Sequence, residues 1–391
     1  MPPIESGAAA HSARPPRLRL GMVGGGRDAF IGAVHRIAAR IDDQYELVAG
    51  CFSSNPDKAL ASAADLGVPR AYTSFAEMAS KESRRKDGID VVAIVTPNHM
   101  HAPVAMQFLK RGIHVICDKP LTATLPEAKA LAKAAEKSDA LFILTHNYTG
   151  YPMIRQARAM VASGDLGPIR VVHVQYVQDW LSTPVEQTGQ KQAEWRTDPA
   201  RSGGGGATGD IGTHAHNLAQ FVTGLETESL AADLHRFVPG RKLDDNGHVL
   251  LRYKGGARGM LWCSQVSPGN ENALRLQVYG EKGGIEWDQE NPNLLWFTPL
   301  GEPKRLITRG GAGAGPDSAR VTRVPPGHPE GYLEGFANIY AEAARAIRAR
   351  MAGEPAPDGT IYPTMADGVA GVAFVDACVR SSARNAAWIT L

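Results

Sequence analysis

Cysteine is scarce in this chain, with four among 391 residues, at Cys51, Cys117, Cys263 and Cys378. They lie far apart, at no zinc-ligand spacing and in no pattern of a small secreted disulfide scaffold, so the sequence suits a reducing cytoplasm. No charge sign dominates either. The 42 Lys and Arg against 40 Asp and Glu leave a net +2, without the basic surplus that binds nucleic acid or an anionic membrane. No apolar run approaches the ~18 residues that a membrane span needs. The opening residues 1–16 hold prolines, Ala, Ser and Gly but no apolar core for a signal peptide, and read as a disordered tail. No internal repeat is present. What remains is a chain of two-domain length whose 43% apolar content can fill full cores.

Glycine, by contrast, is present at telling places. The apolar run Leu18–Val23 ends in Gly24, Gly25 and Gly26, which reads as a buried strand feeding a phosphate-cradling turn. The spacing on to Gly32 is longer than a regular G-x-G-x-x-G, with Arg27 to Phe30 lengthening the turn before a helix over Ile31–Ile41. Further strands follow at Tyr45–Cys51, Asp90–Val95 and Ile113–Cys117. A helix over Leu125–Lys137 is announced by the capping box from Thr124 to Glu127. Alternating β and α elements predict an α/β fold with a doubly wound parallel sheet, and ligands in such sheets bind beyond the carboxyl ends of the strands. That rule selects Gly24 and Gly26, with Phe30 and Ile31 just after the turn. It also selects Ser53, Ser54 and Lys58 after the second strand, Thr96, Pro97, Asn98 and His101 after the third, and Asp118 and Lys119 after the fourth. Ser53 and Ser54 stand where NAD-specific sites usually carry an acid, with Lys58 one turn into the next helix as a cation for a phosphate, so NADP is expected to be tolerated beside NAD.

The most unusual segment is Gly203-Gly204-Gly205-Gly206-Ala207-Thr208-Gly209-Asp210, continuing to His214. Four glycines in a row suit a loop whose backbone lies close to something. If the following residues are helical, Asp210 and His214, four apart, share a face. From Ile169 onward the pattern changes to longer alternating strands: Ile169–Val177, Leu230–Phe237, His248–Tyr253, Ala257–Gln265, Ala273–Tyr279 and Gly284–Trp287. They predict an α+β domain with a large, mostly antiparallel open-faced sheet. A first domain over residues 17–145 and a second over 146–391 follow. The Gly-, Ala- and Pro-rich stretch 310–326 reads as a long, mobile loop.

Taken in order, Val23–Gly26, Thr96–His101, Asp118-Lys119-Pro120, Trp195-Arg196, the Asp210…His214 segment and Val278–Ile285 resemble the Gfo/Idh/MocA oxidoreductases. So do His328–Tyr332 and Tyr362–Gly368, and the likeness spans nearly the whole chain. Two departures stand out: Asp118 replaces the family's Glu before Lys-Pro, and Asn217 stands where a downstream Asp is common. The resemblance implies an NAD(P)-dependent dehydrogenase acting on a ring hydroxyl of a sugar, glycoside or cyclic polyol. It implies that Lys119 touches both substrate hydroxyl and nicotinamide ribose, with a cis bond to Pro120 fixing its direction. His214 is then the general base, and Asp210 either holds a substrate hydroxyl or orients the imidazole. His101, Trp195 and Arg196 border the cofactor, Tyr148 contacts substrate at the domain junction, and the open sheet face makes a homodimer, commonly within a tetramer.

Two alternatives stand beside this reading, and the first would carry the same Lys and His. An NAD-retaining glycosidase would oxidise its sugar transiently and give no net NADH. A nucleotide-binding regulator would have little use for Lys119 and His214 together. The pairs His99/His101 and His214/His216 lack a Cys or carboxylate at ligand spacing, and no metal site is assigned.

Overall fold

The computed structural model describes residues 15–27 and 29–391. The expected tail over residues 1–16 therefore lies, but for its last two positions, outside the described residues.

Six strands form the first sheet: β1 (Leu18–Gly24), β2 (Tyr45–Cys51), β3 (Arg70–Ala71), β4 (Val91–Val95), β5 (His114–Cys117) and β6 (Phe142–Leu144). They are all parallel, in the order β3-β2-β1-β4-β5-β6. Every residue of β4 and β5 is buried, as required of central parallel strands covered on both faces. The sequence reading lacked β3 and β6, which are too short to show a period. The strand order switches sides between β1 and β4, and there the glycine turn is obligatory. Gly24 has φ +81°, and a Cβ on it would stand 2.4 Å from the Val95 carbonyl oxygen. A Cβ on Gly32 would stand 2.3 Å from the Gly25 oxygen, so the helix Phe30–Ile41 can cross the turn only because both positions are bare. The predicted capping box is formed, with the Thr124 side chain and Glu127 each bonding the other's backbone at the start of the helix Leu125–Ala135.

A helix from far along the chain, Tyr332–Ala352, completes this layer. Its Phe336, Ile339, Tyr340, Ala343 and Ile347 share one apolar core with Leu18, Leu20 and Met22 of β1 and Val34 and Ala38 of the first helix. Tyr45 donates through its hydroxyl to the Tyr340 carbonyl at 2.7 Å.

The second sheet has nine strands: β7 (Ile169–Val177), β8 (Thr227–His235), β9 (Asn246–Tyr253), β10 (Arg258–Ser264), β11 (Ala273–Gly280), β12 (Gly283–Asp288), β13 (Leu294–Pro299), β14 (Arg305–Thr308) and β15 (Ile389–Thr390). Their order is β14-β13-β12-β11-β7-β10-β9-β8-β15, antiparallel except where β7 runs parallel to β10. Inward side chains such as Val172, Val174, Leu261, Leu274 and Leu276 pack against helices. On the opposite face Leu250, Met260 and His173 stand side by side in register, and Leu250 is 53% exposed.

The stretch 310–326 is tied down rather than free. It contains a short helix, Pro316–Ala319. Gly315 N donates to the Gln156 side chain at 2.6 Å, and Asn338 holds the Val321 carbonyl at 3.1 Å. The Arg323 guanidinium pairs with Asp42 at the end of the first helix. Among the described residues no helix is long and apolar enough to cross a membrane.

Candidate functional site

Two cavities meet beyond the carboxyl ends of β1, β4 and β5. The larger, about 700 Å³, is lined by the glycine turn Gly24–Gly26, by Ser53 and Ser54, by Thr96–Met100, and by Trp195 and Arg201. The smaller, about 300 Å³, is walled by Tyr148, Tyr176, Gln178, Trp180, His214 and Tyr332. Ile31, Asp118, Lys119, Gln192, Arg196 and Asp210 line both. A reaction between a molecule in each cavity would take place among those six.

Lys119 reaches the junction from the turn after β5, through a cis Lys119–Pro120 bond. Its ammonium donates to the Asp210 carbonyl at 2.7 Å and to Asp210 Oδ1 at 3.0 Å. Arg196 Nε at 3.2 Å and Gln265 Nε2 at 2.9 Å donate to the other carboxylate oxygen. Burial alone would raise the Asp210 pKa, but Lys119 and then Arg196 outweigh it and hold the carboxyl well below its usual range. Asp210 lies in a π-helical turn, Thr208–Gly212, before the α-helix Thr213–Thr223, so Asp210 and His214 do not sit on one continuous α-helix. The wider turn, closed by Thr213 N–H to the Thr208 carbonyl, leaves the Asp210 carbonyl to Lys119.

His214 is buried and perpendicular to His146, with the two Nδ1 atoms 3.5 Å apart. Burial first, then Lys119 and His146, push its pKa well below the ordinary histidine value, against an upward pull from Asp210. Tyr148 lies edge-on to it, and the Tyr148 and Tyr176 hydroxyls are 2.5 Å apart, with Tyr176 donating to Asn272 at 2.8 Å.

Asp118 stands behind Lys119. Its Oδ1 accepts from Lys119 N at 2.9 Å and from the Thr145 hydroxyl at 3.0 Å, with His35 Nε2 at 4.0 Å. Burial works to raise its pKa, yet His35, Lys119 and His101 bring it down to about 2.

Residues 18–146 match the family of oxidoreductases with an NAD-binding Rossmann fold, and residues 154–286 match the GFO/IDH/MocA C-terminal domain. The chain belongs to the Gfo/Idh/MocA oxidoreductases. Its likeness to solved members is close. An oxidoreductase from Sinorhizobium meliloti is 61% identical, with TM-score 0.87 over 96% of this chain and 100% of that one. An inositol dehydrogenase homologue from Azotobacter vinelandii, complexed with NADH and myo-inositol, is 37% identical, with TM-score 0.89 over 96% and 98%. Levoglucosan dehydrogenase of Pseudarthrobacter phenanthrenivorans is 26% identical over 95% of this chain and 97% of its own.

In this oxidoreductase most of the residues picked from sequence gather as a dinucleotide site would need. Gly24, Gly26, Ile31, Ser53, Ser54, Thr96, Pro97, Asn98, Asp118, Lys119, Trp195 and Arg196 all line the larger cavity. Among the described residues the helix Phe30–Ile41 has no side-chain cap at its N-cap, Ala29. Three residues chosen for the cofactor fall elsewhere. Phe30 lies at the rim of the smaller cavity and is 68% exposed. Lys58 is exposed and outside the cleft, its backbone N–H capped by Asn55. His101 is fully buried beneath the floor, its ring nitrogens 2.7 Å from the Pro120 carbonyl and 2.9 Å from that of Thr96. It braces the two turns on which the site stands. Each misplacement has the same origin, since sequence position near a strand end does not say which way a side chain points.

The glycine run approaches the protein's own backbone. A Cβ on Gly203 would be 2.3 Å from the Ala123 oxygen, and one on Gly206 2.0 Å from the Asp244 oxygen. Asp244 then accepts from Gly206 N at 2.7 Å and Thr208 N at 2.8 Å, clamping the segment that presents Asp210. His216, paired in sequence with His214, bonds Thr227 at 3.0 Å and stacks on Phe374, a structural role. Sequence reasoning missed Arg27, Gln192, His146, Gln178, Trp180 and Gln265. Of these only His146 carried a signal, as a histidine two residues before Tyr148.

Proposed function

We propose that this protein is an NAD(P)-dependent dehydrogenase that oxidises a ring hydroxyl of a cyclic polyol or sugar. The observation that carries the reading is the meeting of Lys119 and Asp210, which line both cavities, with His214 in the smaller one. When bound in the larger cavity, nicotinamide would accept the hydride leaving the alcohol carbon. Lys119 has three ammonium hydrogens, two of them engaged by Asp210, so one remains for the substrate oxygen as negative charge develops on it. His214, neutral at pH 7, takes the hydroxyl proton. Gln178, Gln192 and Arg196 supply polar contacts, while Tyr332 and Trp180 offer flat surfaces to the C–H face of a ring. The myo-inositol and levoglucosan of the two named relatives support a saturated, polyhydroxylated six-membered ring as the substrate class.

The same reading includes a second copy of the chain on the bare face of the nine-stranded sheet, across Leu250, Met260 and His173, the apolar patch that the helices leave uncovered. The decisive experiment on activity is a panel of inositols, monosaccharides, anhydro sugars and glycosides with NAD+ or NADP+, followed by the absorbance of reduced nicotinamide. Cleavage of a glycoside without net NADH would instead mark the glycosidase. Tight nucleotide binding with no turnover on any of them would mark a regulator.

A further inference from the structure

The base in the proposed reaction needs one ring nitrogen free of hydrogen and facing the substrate. Asp210 would be the obvious group to arrange this, but its carboxylate is already engaged by Lys119, Arg196 and Gln265. The contact that His214 does make is with His146, Nδ1 to Nδ1 at 3.5 Å, the rings perpendicular with centroids 5.3 Å apart. His146 is 1% exposed and does not line the smaller cavity, whereas His214 does. The Nδ1 edge of His214 is therefore turned away from the substrate space, and the opposite edge, with Nε2, toward it.

A neutral imidazole has one donor and one acceptor nitrogen, so a neutral pair shares a single hydrogen across this contact. Burial keeps both rings neutral, bringing the His146 pKa down to about 3 and that of His214 well below the ordinary value. The groups facing His214 are Lys119, Asp210, His146, Tyr148 and Tyr176. The cation whose charge acts on His214 is the Lys119 ammonium, which lines the same cavity. A lone pair on the cavity edge of His214 is attracted by that charge and an N–H is repelled, which favours hydrogen on Nδ1, facing His146.

We propose that His146 is a positioning residue, whose Nδ1 accepts the Nδ1–H of His214 and so leaves His214 Nε2 as the acceptor of the substrate's hydroxyl proton. It does for this imidazole what an orienting carboxylate does in a hydrolytic triad, without adding a negative charge. When the hydroxyl proton reaches Nε2, the Nδ1–H···His146 bond strengthens, because its donor becomes cationic. The inference rests on the proposed role of His214, and its test separates the two.

Ring-nitrogen NMR on histidine-labelled protein at neutral pH reads the tautomer directly, with the His214→Ala variant identifying the signal. The wild type should show His214 hydrogenated at Nδ1 and bare at Nε2. His146→Phe keeps an aromatic ring but no acceptor, and should convert His214 to the Nε2–H form or a mixture. His146→Gln, which keeps an accepting oxygen, should restore the wild-type signature. With myo-inositol and NAD+ as the assay pair, kcat should fall roughly 10- to 100-fold in His146→Phe, part of what a general base supplies. KM and NADH affinity should change little, and the Gln variant should recover most of the loss. An Nε2–H tautomer in the wild type, or one indifferent to both substitutions, overturns the proposal and leaves the role of His214 standing. If His214→Ala itself retains turnover with an unaltered pH profile, the reading of His214 as base fails, whatever the tautomer.

Discussion

The ammonium of Lys119 and the carboxylate of Asp210 hold one another 3.0 Å apart, with a second bond of 2.7 Å from the same ammonium to the Asp210 carbonyl. A group from the turn after β5 and one from the π turn are thus joined at the junction of both cavities before any substrate arrives. The arrangement keeps Lys119 aimed, so that little reorganisation is needed when an alkoxide begins to form.

Replacing Lys119 by Ala should therefore cost ~10²–10³ in turnover, about 2.7–4 kcal/mol of transition-state stabilisation. NADH binding, measured by fluorescence, should survive, because the glycine turn and the strand-end residues stay in place. A variant keeping more than a tenth of wild-type turnover would remove Lys119 from the chemistry.

Oxidation should rise with pH as His214 loses its proton. Its folded pKa is depressed by burial, Lys119 and His146, so the acid limb of kcat/KM should lie well below the ~6.5 of a free imidazole. Activity at pH 7 should then sit on the plateau, and His214→Ala should abolish the limb. Lys119 and His214 interact, so the limb belongs to the site as a whole. A limb at or above the free-imidazole value would contradict the buried, cation-flanked setting.

The cofactor preference follows from the strand-end residues. Ser53 and Ser54 line the cleft at the end of the second strand, and their hydroxyls, unlike an Asp or Glu there, do not repel a 2′-phosphate. Arg27, paired with Asp65 at 2.5 Å, lines this cleft, whereas Lys58 does not. Both cofactors should bind, with dissociation constants within ~100-fold of each other, or about 2.8 kcal/mol. Titration calorimetry checks it, and a larger preference for NAD would defeat the expectation.

Leu250→Glu together with Met260→Lys should lower the mass seen by light scattering to that of one chain, if a second copy covers the bare sheet face. Neither side chain is in the core, so the fold should persist in circular dichroism. An unchanged mass would place any assembly elsewhere.

Much of this was legible in one dimension. Four parallel strands, the glycine turn and the capped helix at Thr124 are written in local patterns whose period and punctuation follow from backbone geometry. The strands β3, β6 and β15, of two or three residues, carry no period and exist only because neighbouring strands offer them hydrogen bonds. The bare glycines at 203 and 206 announced a close approach, but the approached backbone at Ala123 and Asp244 is distant in sequence and could not be named from it.

The sequence by itself determined the family and the two-sheet plan and singled out Lys119, Asp210 and His214 as candidates, because these depend on residue type and local spacing. Tertiary structure alone decided their relations. The π turn gives Asp210 to Lys119, His101 lies beneath the floor, and His146 becomes the neighbour of His214. The physical reason is that a side chain's partner is set by the direction it takes from its own element and by what packs opposite. Neither is encoded within a window of a few residues.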